Sequence, residues 1–239
     1  MRKEHRPVYV TRSKRWLDKK YADHFLVPHF DAVGEGCGFE NPYCIDVIGS
    51  PIELGKHVQI VGMSDNRVRL TAWGVGQGLG RIRIGDYTVI NPGARITSGC
   101  SIEIGRNALF AANVSITDAD SHGLYDRVHD PGGYAPVVIG DNVWLAEGVC
   151  VLKGVTIGKN TVVGARSLVV NDLPDHCVAA GNPARVIREL DPNATYYSRS
   201  DVMADQSYLD RLYELESYLT QENTLLGFLR YLLFPKRGD

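Results

Sequence analysis

The chain has 239 residues, 25 of them glycine, and a formal net charge of -2 from 26 basic and 28 acidic side chains. That balance gives no electrostatic footprint for nucleic acid. No run of about 18 apolar residues is present to span a membrane, and the charged start lacks the apolar core and cleavage site of a secretory signal. Cys37, Cys44, Cys100, Cys150 and Cys177 show no CxxC spacing, so reduced thiols in a cytoplasmic protein are expected rather than a disulfide framework or a zinc knuckle.

In chain order, residues 1–43 read as an N-terminal helical extension and cap, with a helical pattern from Ser13 to His24 and the apolar run Phe25, Leu26, Val27 before Pro28. Residues 44–190 are dominated by a repeat. Ile48, Leu54 and Ile60 recur at a spacing of six, as do Ile84, Ile90 and Ile96. After a two-residue slip, Ile104, Phe110 and Ile116 keep the same beat. Ile139, Leu145, Val151, Ile157, Val163 and Val169 then hold it without a break.

Six fits neither the 3.6 period of a helix nor an alternating strand. It fits a triangular solenoid in which each hexad gives one short strand and one corner, the aliphatic side chain pointing into the prism. The expected fold is an all-β left-handed parallel β-helix. A β-sandwich would show variable loops instead of a fixed beat.

Two interruptions stand out. Around the glycines between Ile60 and Ile84, a bend over about 66–83 is expected to project from the solenoid. Between Ile116 and Ile139 a polar loop over about 118–137 adds 17 residues to one hexad. Residues 191–239 form a polar linker from Asp191-Pro192 and a tail of one or two helices.

A regular scaffold that extrudes a polar loop marks the place to look for chemistry. His122 lies in Asp118-Ala119-Asp120-Ser121-His122, and His129 follows seven residues later. Imidazole suits proton transfer near neutral pH, and Asp118 or Asp120 accepting from one ring nitrogen would orient the other. The plainer reading is that these residues cap turns. Asn113 at the preceding corner, with Tyr125 and Asp126 in the loop, are candidates for binding an acceptor hydroxyl. No persuasive metal site, no cysteine with an evident His partner and no phosphate-binding glycine loop is found, and Gly74 to Gly80 is not a dinucleotide fingerprint.

From Ile48 to Leu190 the sequence resembles the hexapeptide-repeat acyltransferases, especially the maltose, galactoside and polysaccharide O-acetyltransferases. The most specific stretch is 135–190, closing with Ala180-Gly181-Asn182-Pro183-Ala184-Arg185-Val186-Ile187. The resemblance implies a homotrimer with acetyl-CoA, used as acyl donor, in the groove between neighbours. It implies His122 as the catalytic base in a loop extending over that groove, with no metal required. It further implies CoA contacts from Trp144, Gly148, Ala165 and Ala180, with Lys159 and Arg185 near the phosphates. Arg166 stands where the family commonly has glycine.

The implied activity is O-acetylation of a sugar or polysaccharide precursor. An amine-directed N-acyltransferase and a non-catalytic hexapeptide scaffold are the alternatives. The leucine-rich tail fits packing against the prism or another subunit, or else a peripheral helix at the inner face of the membrane.

Overall fold

The computed structural model describes residues 4–73 and 80–236, with only the backbone for 206, 208, 209 and 212. An inward aliphatic every six residues requires the backbone to turn a third of a circuit per hexad, and it does. The first coil is β1 (Ala32–Val33), β2 (Gly38–Glu40) and β3 (Ile45–Gly49). The second is β4 (Ile52–Leu54), β5 (Gln59–Val61) and β6 (Val68–Ala72), and the third β7 (Ile82–Ile84), β8 (Val89–Ile90) and β9 (Arg95–Ser98). The fourth is β10 (Ile102–Ile104), β11 (Leu109–Phe110) and β12 (Ser115–Thr117). The fifth comprises β13 (Val137–Ile139), β14 (Trp144–Leu145) and β15 (Cys150–Val151), and the sixth β16 (Thr156–Ile157), β17 (Val162–Val163) and β18 (Leu168–Val169).

Equivalent strands of successive coils pair in parallel, giving three sheets: sheet A from the first strand of each coil, sheet B from the second and sheet C from the third. The left-handed parallel β-helix is therefore the observed architecture. Ile139, Leu145, Val151, Ile157, Val163 and Val169 are all buried in the core. Each rung covers the edge of the one before it, so one aliphatic per strand suffices. The corners use the left-handed region, which asparagine tolerates better than most residues: Asn107, Asn142 and Asn160 lie between sheets A and B at φ of 58°, 56° and 57°.

The phase of the first coils differs from the expected beat. Ile48 is 51% exposed; the inward positions of β3 are Ile45, which is buried, and Val47, which packs on the core. Val68–Ala72 is a regular strand between β3 and β9 rather than part of a projecting bend. Before that strand a turn is closed by a Met63–Asn66 bridge, and residues 74–79, most of the Gly74 to Gly80 stretch, lie outside the described residues. Coils begin at Ala32, inside the expected cap.

These assignments separate two conservative substitutions. Ile116→Val, in the core, is expected to cost about 1 kcal/mol, and Ile48→Val less than about 0.5 kcal/mol, read from denaturant melts.

The ends are closed differently. At the N-terminus α1 (Val8–Tyr21) runs into a π-helical turn, and Ala22, Leu26 and Phe30 bury against the first coil. Past the sixth coil β19 (Cys177–Gly181) pairs in parallel with β17, and β20 (Ala184–Glu189) folds back antiparallel on it.

The tail forms α2 (Arg199–Ala204), α3 (Gln206–Thr220) and α4 (Leu225–Leu233), one helix more than the sequence suggested. It returns along the prism to the N-terminal end. Ser200 N–H donates to Asn107 Oδ1 at 2.9 Å, Arg199 Nη2 donates to Gln59 Oε1 at 2.7 Å, and Arg15 pairs with Glu216 of α3. The His5 and Tyr231 rings stack with centroids 4.4 Å apart.

Candidate active site

The polar loop leaves the prism after β12, where alternation continues past the end of the strand. Ile116 points inward, Thr117 outward, and Asp118 inward again, fully buried. Its Oδ2 accepts from Ser98 Oγ at 2.7 Å and Cys100 N–H at 3.0 Å, and its Oδ1 accepts from Gly99 N–H at 2.6 Å. Both carboxylate oxygens are therefore occupied at the root of the loop. Asp118 does not orient His122; it fixes the place from which the loop departs.

Above that root the loop is a short antiparallel ladder. Ala135 N–H donates to Asp118 O at 2.9 Å, Ala119 bridges Tyr134, Asp120 N–H donates to Gly133 O at 2.8 Å, and Gly123 N–H donates to Asp130 O at 2.8 Å. Gly132, at φ +81°, passes so close to the His122 carbonyl that a Cβ would lie 2.6 Å from its oxygen. Asp120 pairs with Lys153 of the fifth coil and accepts from Gly133 N–H at 3.3 Å. That pair straps the loop to the prism instead of touching His122.

The strap is half exposed, so Lys153→Met is expected to cost less than about 1 kcal/mol of stability. It is also expected to raise amide exchange over 119–135, measured by hydrogen-deuterium exchange.

His122 sits between the last two rungs of this ladder, exposed. Among the described residues neither of its ring nitrogens has a hydrogen-bond partner. His129 is different: its Nδ1 lies 3.1 Å from Asp126 Oδ2, and Asp126 Oδ1 accepts from the Val128 and His129 amides at 2.9 Å each. The His129 amide bond, first, and the Val128 amide next hold the Asp126 carboxyl below its usual range. Asp126 thus caps the loop tip. Tyr125, Leu124 and Val128 around it are exposed, with no cover from their own chain.

The expected cofactor residues divide between edges of the prism. Along the corner between sheets B and C, Gly148 N–H donates to Ala112 O at 2.9 Å and Arg166 N–H to Glu147 O at 2.8 Å. That ladder stacks Asn113, Gly148 and Arg166, all left-handed at φ of 62°, 70° and 59°. Ala165 precedes Arg166 at this corner, and Ala180 sits across from Arg185 where β19 meets β20. Arg166 therefore takes a backbone conformation that glycine adopts without strain.

Lys159 lies elsewhere, on the corner between sheets A and B, where its N–H donates to Asp175 Oδ1 at 2.9 Å. Trp144 is 50% exposed on the outer face of sheet B, in register with Leu109 and Val162. Burial raises the Cys37, Cys100 and Cys150 thiols, which keeps them from acting as ready nucleophiles.

Sequence reasoning missed Ser98 and Lys153, which hold the loop. It also missed the arginines of sheet C. A cavity of about 1020 Å³ lies away from the loop, between α1, the first coil and α3. Most of its charged side chains are paired with one another, as in Lys14–Asp18, Arg15–Glu216 and Lys19–Asp23. No group of three or more His, Cys, Asp or Glu that could hold a metal ion occurs among the described residues, and no described helix is long and apolar enough to cross a membrane.

Comparison with known proteins matches two family models, "Bacterial transferase hexapeptide (six repeats)" over residues 136–171 and "Hexapeptide repeat of succinyl-transferase" over 81–118. The galactoside O-acetyltransferase of Escherichia coli (strain K12) is 38% identical over 53% of this chain, and the match spans 63% of that protein, less than two thirds of its length. The solved structure of a galactoside acetyltransferase in complex with coenzyme A aligns over 78% of this chain and 88% of its own, at 27% identity and a TM-score of 0.47. WbbJ of Escherichia coli (strain K12), named for O-acetyl transfer in lipopolysaccharide biosynthesis, is 36% identical over 52% of this chain and 68% of its own length. With six hexapeptide coils in the fold and family models on both sides of the loop, this chain belongs to the hexapeptide-repeat acetyltransferase family.

Proposed function

We propose that the protein is a CoA-dependent O-acetyltransferase that moves an acetyl group from acetyl-CoA to a hydroxyl of a sugar or polysaccharide precursor. The observation that carries this reading is His122: an exposed imidazole with no hydrogen-bond partner among the described residues, on a loop rooted by the buried Asp118 and strapped by Lys153. In the reaction His122 takes the proton of the acceptor hydroxyl as its oxygen attacks the thioester carbonyl. The tetrahedral oxyanion collapses, the carbon–sulfur bond breaks, and the imidazolium returns the proton to the CoA thiolate. Asp118 and Asp120 act by positioning the loop.

The donor occupies the corner of Asn113, Gly148, Ala165 and Ala180, with Arg166 and Arg185 beside it. Asn113 and the loop tip face the acceptor. Assembly as a homotrimer completes the site. Two observations support that: the uncovered Leu124, Tyr125 and Val128 of the loop tip, and the exposed apolar stripe of Leu109 and Trp144 along sheet B.

The same reading places the enzyme in the cytoplasm. Leu226, Leu232, Leu233 and Phe234 of the tail are exposed and support a peripheral contact with the inner membrane face.

Titration calorimetry with acetyl-CoA and sedimentation equilibrium test the two halves of the reading. Binding of one acetyl-CoA per chain by a trimer is expected. A trimer that binds none would make the protein a scaffold.

A further inference from the structure

A second concavity, about 440 Å³, opens on the outer face of sheet C at its N-terminal end. Its volume lies in the range of small-molecule sites, and its lining combines aromatic rings with a few convergent polar groups, as such sites do. Tyr21, Phe25 and Tyr43 form one wall, with Tyr21 and Phe25 ring centroids 4.9 Å apart and Tyr21 edge-on to Tyr43 at 6.0 Å. Phe25 and Tyr43 keep exposed ring surface.

The floor is basic. Asp46, Arg69 and Arg95 occupy the same outward position on three successive rungs. Asp46 is already engaged by Arg67, whose Nε and Nη2 donate to it at 3.1 Å and 2.5 Å while Nη1 donates to Tyr43 O at 3.0 Å. Arg69 reaches the same carboxylate only at 3.4 Å, and Arg95 has no side-chain partner among the described residues. Two guanidinium groups therefore share one carboxylate, and Arg69 and Arg95 sit directly cross-strand, where like charges repel unless an anion lies between them.

The next rung in that column is Ser115, on the coil that carries Asn113 at one end of its sheet C strand and the loop at the other. Arg95 is one rung, about 4.8 Å, from Ser115 and Arg69 is two.

We propose that Arg69 and Arg95 bind the anionic group, phosphate or carboxylate, of a charged sugar. Its ring rests toward the Tyr21–Phe25–Tyr43 wall, and the sugar unit linked to it lies along sheet C on the side of the loop. The guanidinium fork suits either oxyanion. The role of this sugar as acyl acceptor rests on the acyl-transfer reading above; the site for it does not.

The test is calorimetric titration of the full-length protein with glucose 1-phosphate, glucuronate and methyl glucoside, repeated on the double variant Arg69→Met, Arg95→Met. Wild type is expected to bind at least one charged sugar about tenfold or more tighter than methyl glucoside, and the double variant is expected to lose that preference. Whichever charged sugar binds tighter identifies the anion as phosphate or carboxylate. Arg95→Met alone, which removes no side-chain hydrogen bond among the described residues, gives the same test should the double variant fold poorly.

Equal affinity for charged and uncharged sugars, no binding of any of the three, or a preference that survives both substitutions would overturn the proposal. Acetyl-CoA titrated into the same samples reports on acyl transfer separately, since the arginines lie off the donor corner.

Discussion

Asp118→Ala is expected to lower stability by about 3–5 kcal/mol, because it removes the acceptor for one hydroxyl and two backbone N–H donors at a buried position. At a few degrees per kcal/mol for a chain of this size, the melting temperature falls by about 10 °C, compared at fixed protein concentration. Ser98→Ala, which deletes only one of the three donors, costs about 1 kcal/mol. Hydrogen-deuterium exchange separates the root of the loop from the coils: in Asp118→Ala, protection is lost first over 118–135. A variant that melts with wild type would mean that the carboxylate has no part in holding the loop.

His122→Ala is expected to reduce turnover by about 10²- to 10⁴-fold, the usual contribution of a positioned general base, while leaving the melting temperature within about 1 °C. The two readouts diverge because the exposed imidazole makes no hydrogen bond among the described residues. His129→Ala provides the comparison. His129 is tied to Asp126 at the loop tip, and its loss is expected to change turnover by less than about threefold. Equal losses in the two variants would point to disturbance of the loop rather than to proton transfer.

The coils were legible in the sequence because an inward position in a triangular prism tolerates little besides an aliphatic side chain, and Ile139 to Val169 repeat without a break. The first coil was less so. β3 is five residues long with Ile45 and Val47 facing in, and the corner at Gly49, Ser50 and Pro51 shifts the phase. The six-residue spacing from Ile48 to Leu54 therefore joined an outward residue to an inward one.

Asp118 was half legible. Continuing the alternation from Ile116 would have turned it inward, but the acidic company of Asp120 and His122 suggested a reacting group instead. Lys153 lies 33 residues from Asp120, and Arg69 lies 26 residues from Arg95. Both juxtapositions depend on how many residues each coil contains, and the loop alters that count between Asp120 and Lys153. The position of Lys159 on a different corner from Gly148 and Arg166 is a consequence of the same register.

Release of free CoA from acetyl-CoA, followed with purified wild type and His122→Ala across a panel of sugar and amine acceptors, tests the central claim most directly. Release that depends on a sugar hydroxyl acceptor and disappears in His122→Ala is the predicted result; acceptor-dependent release that is unchanged by the substitution would contradict it.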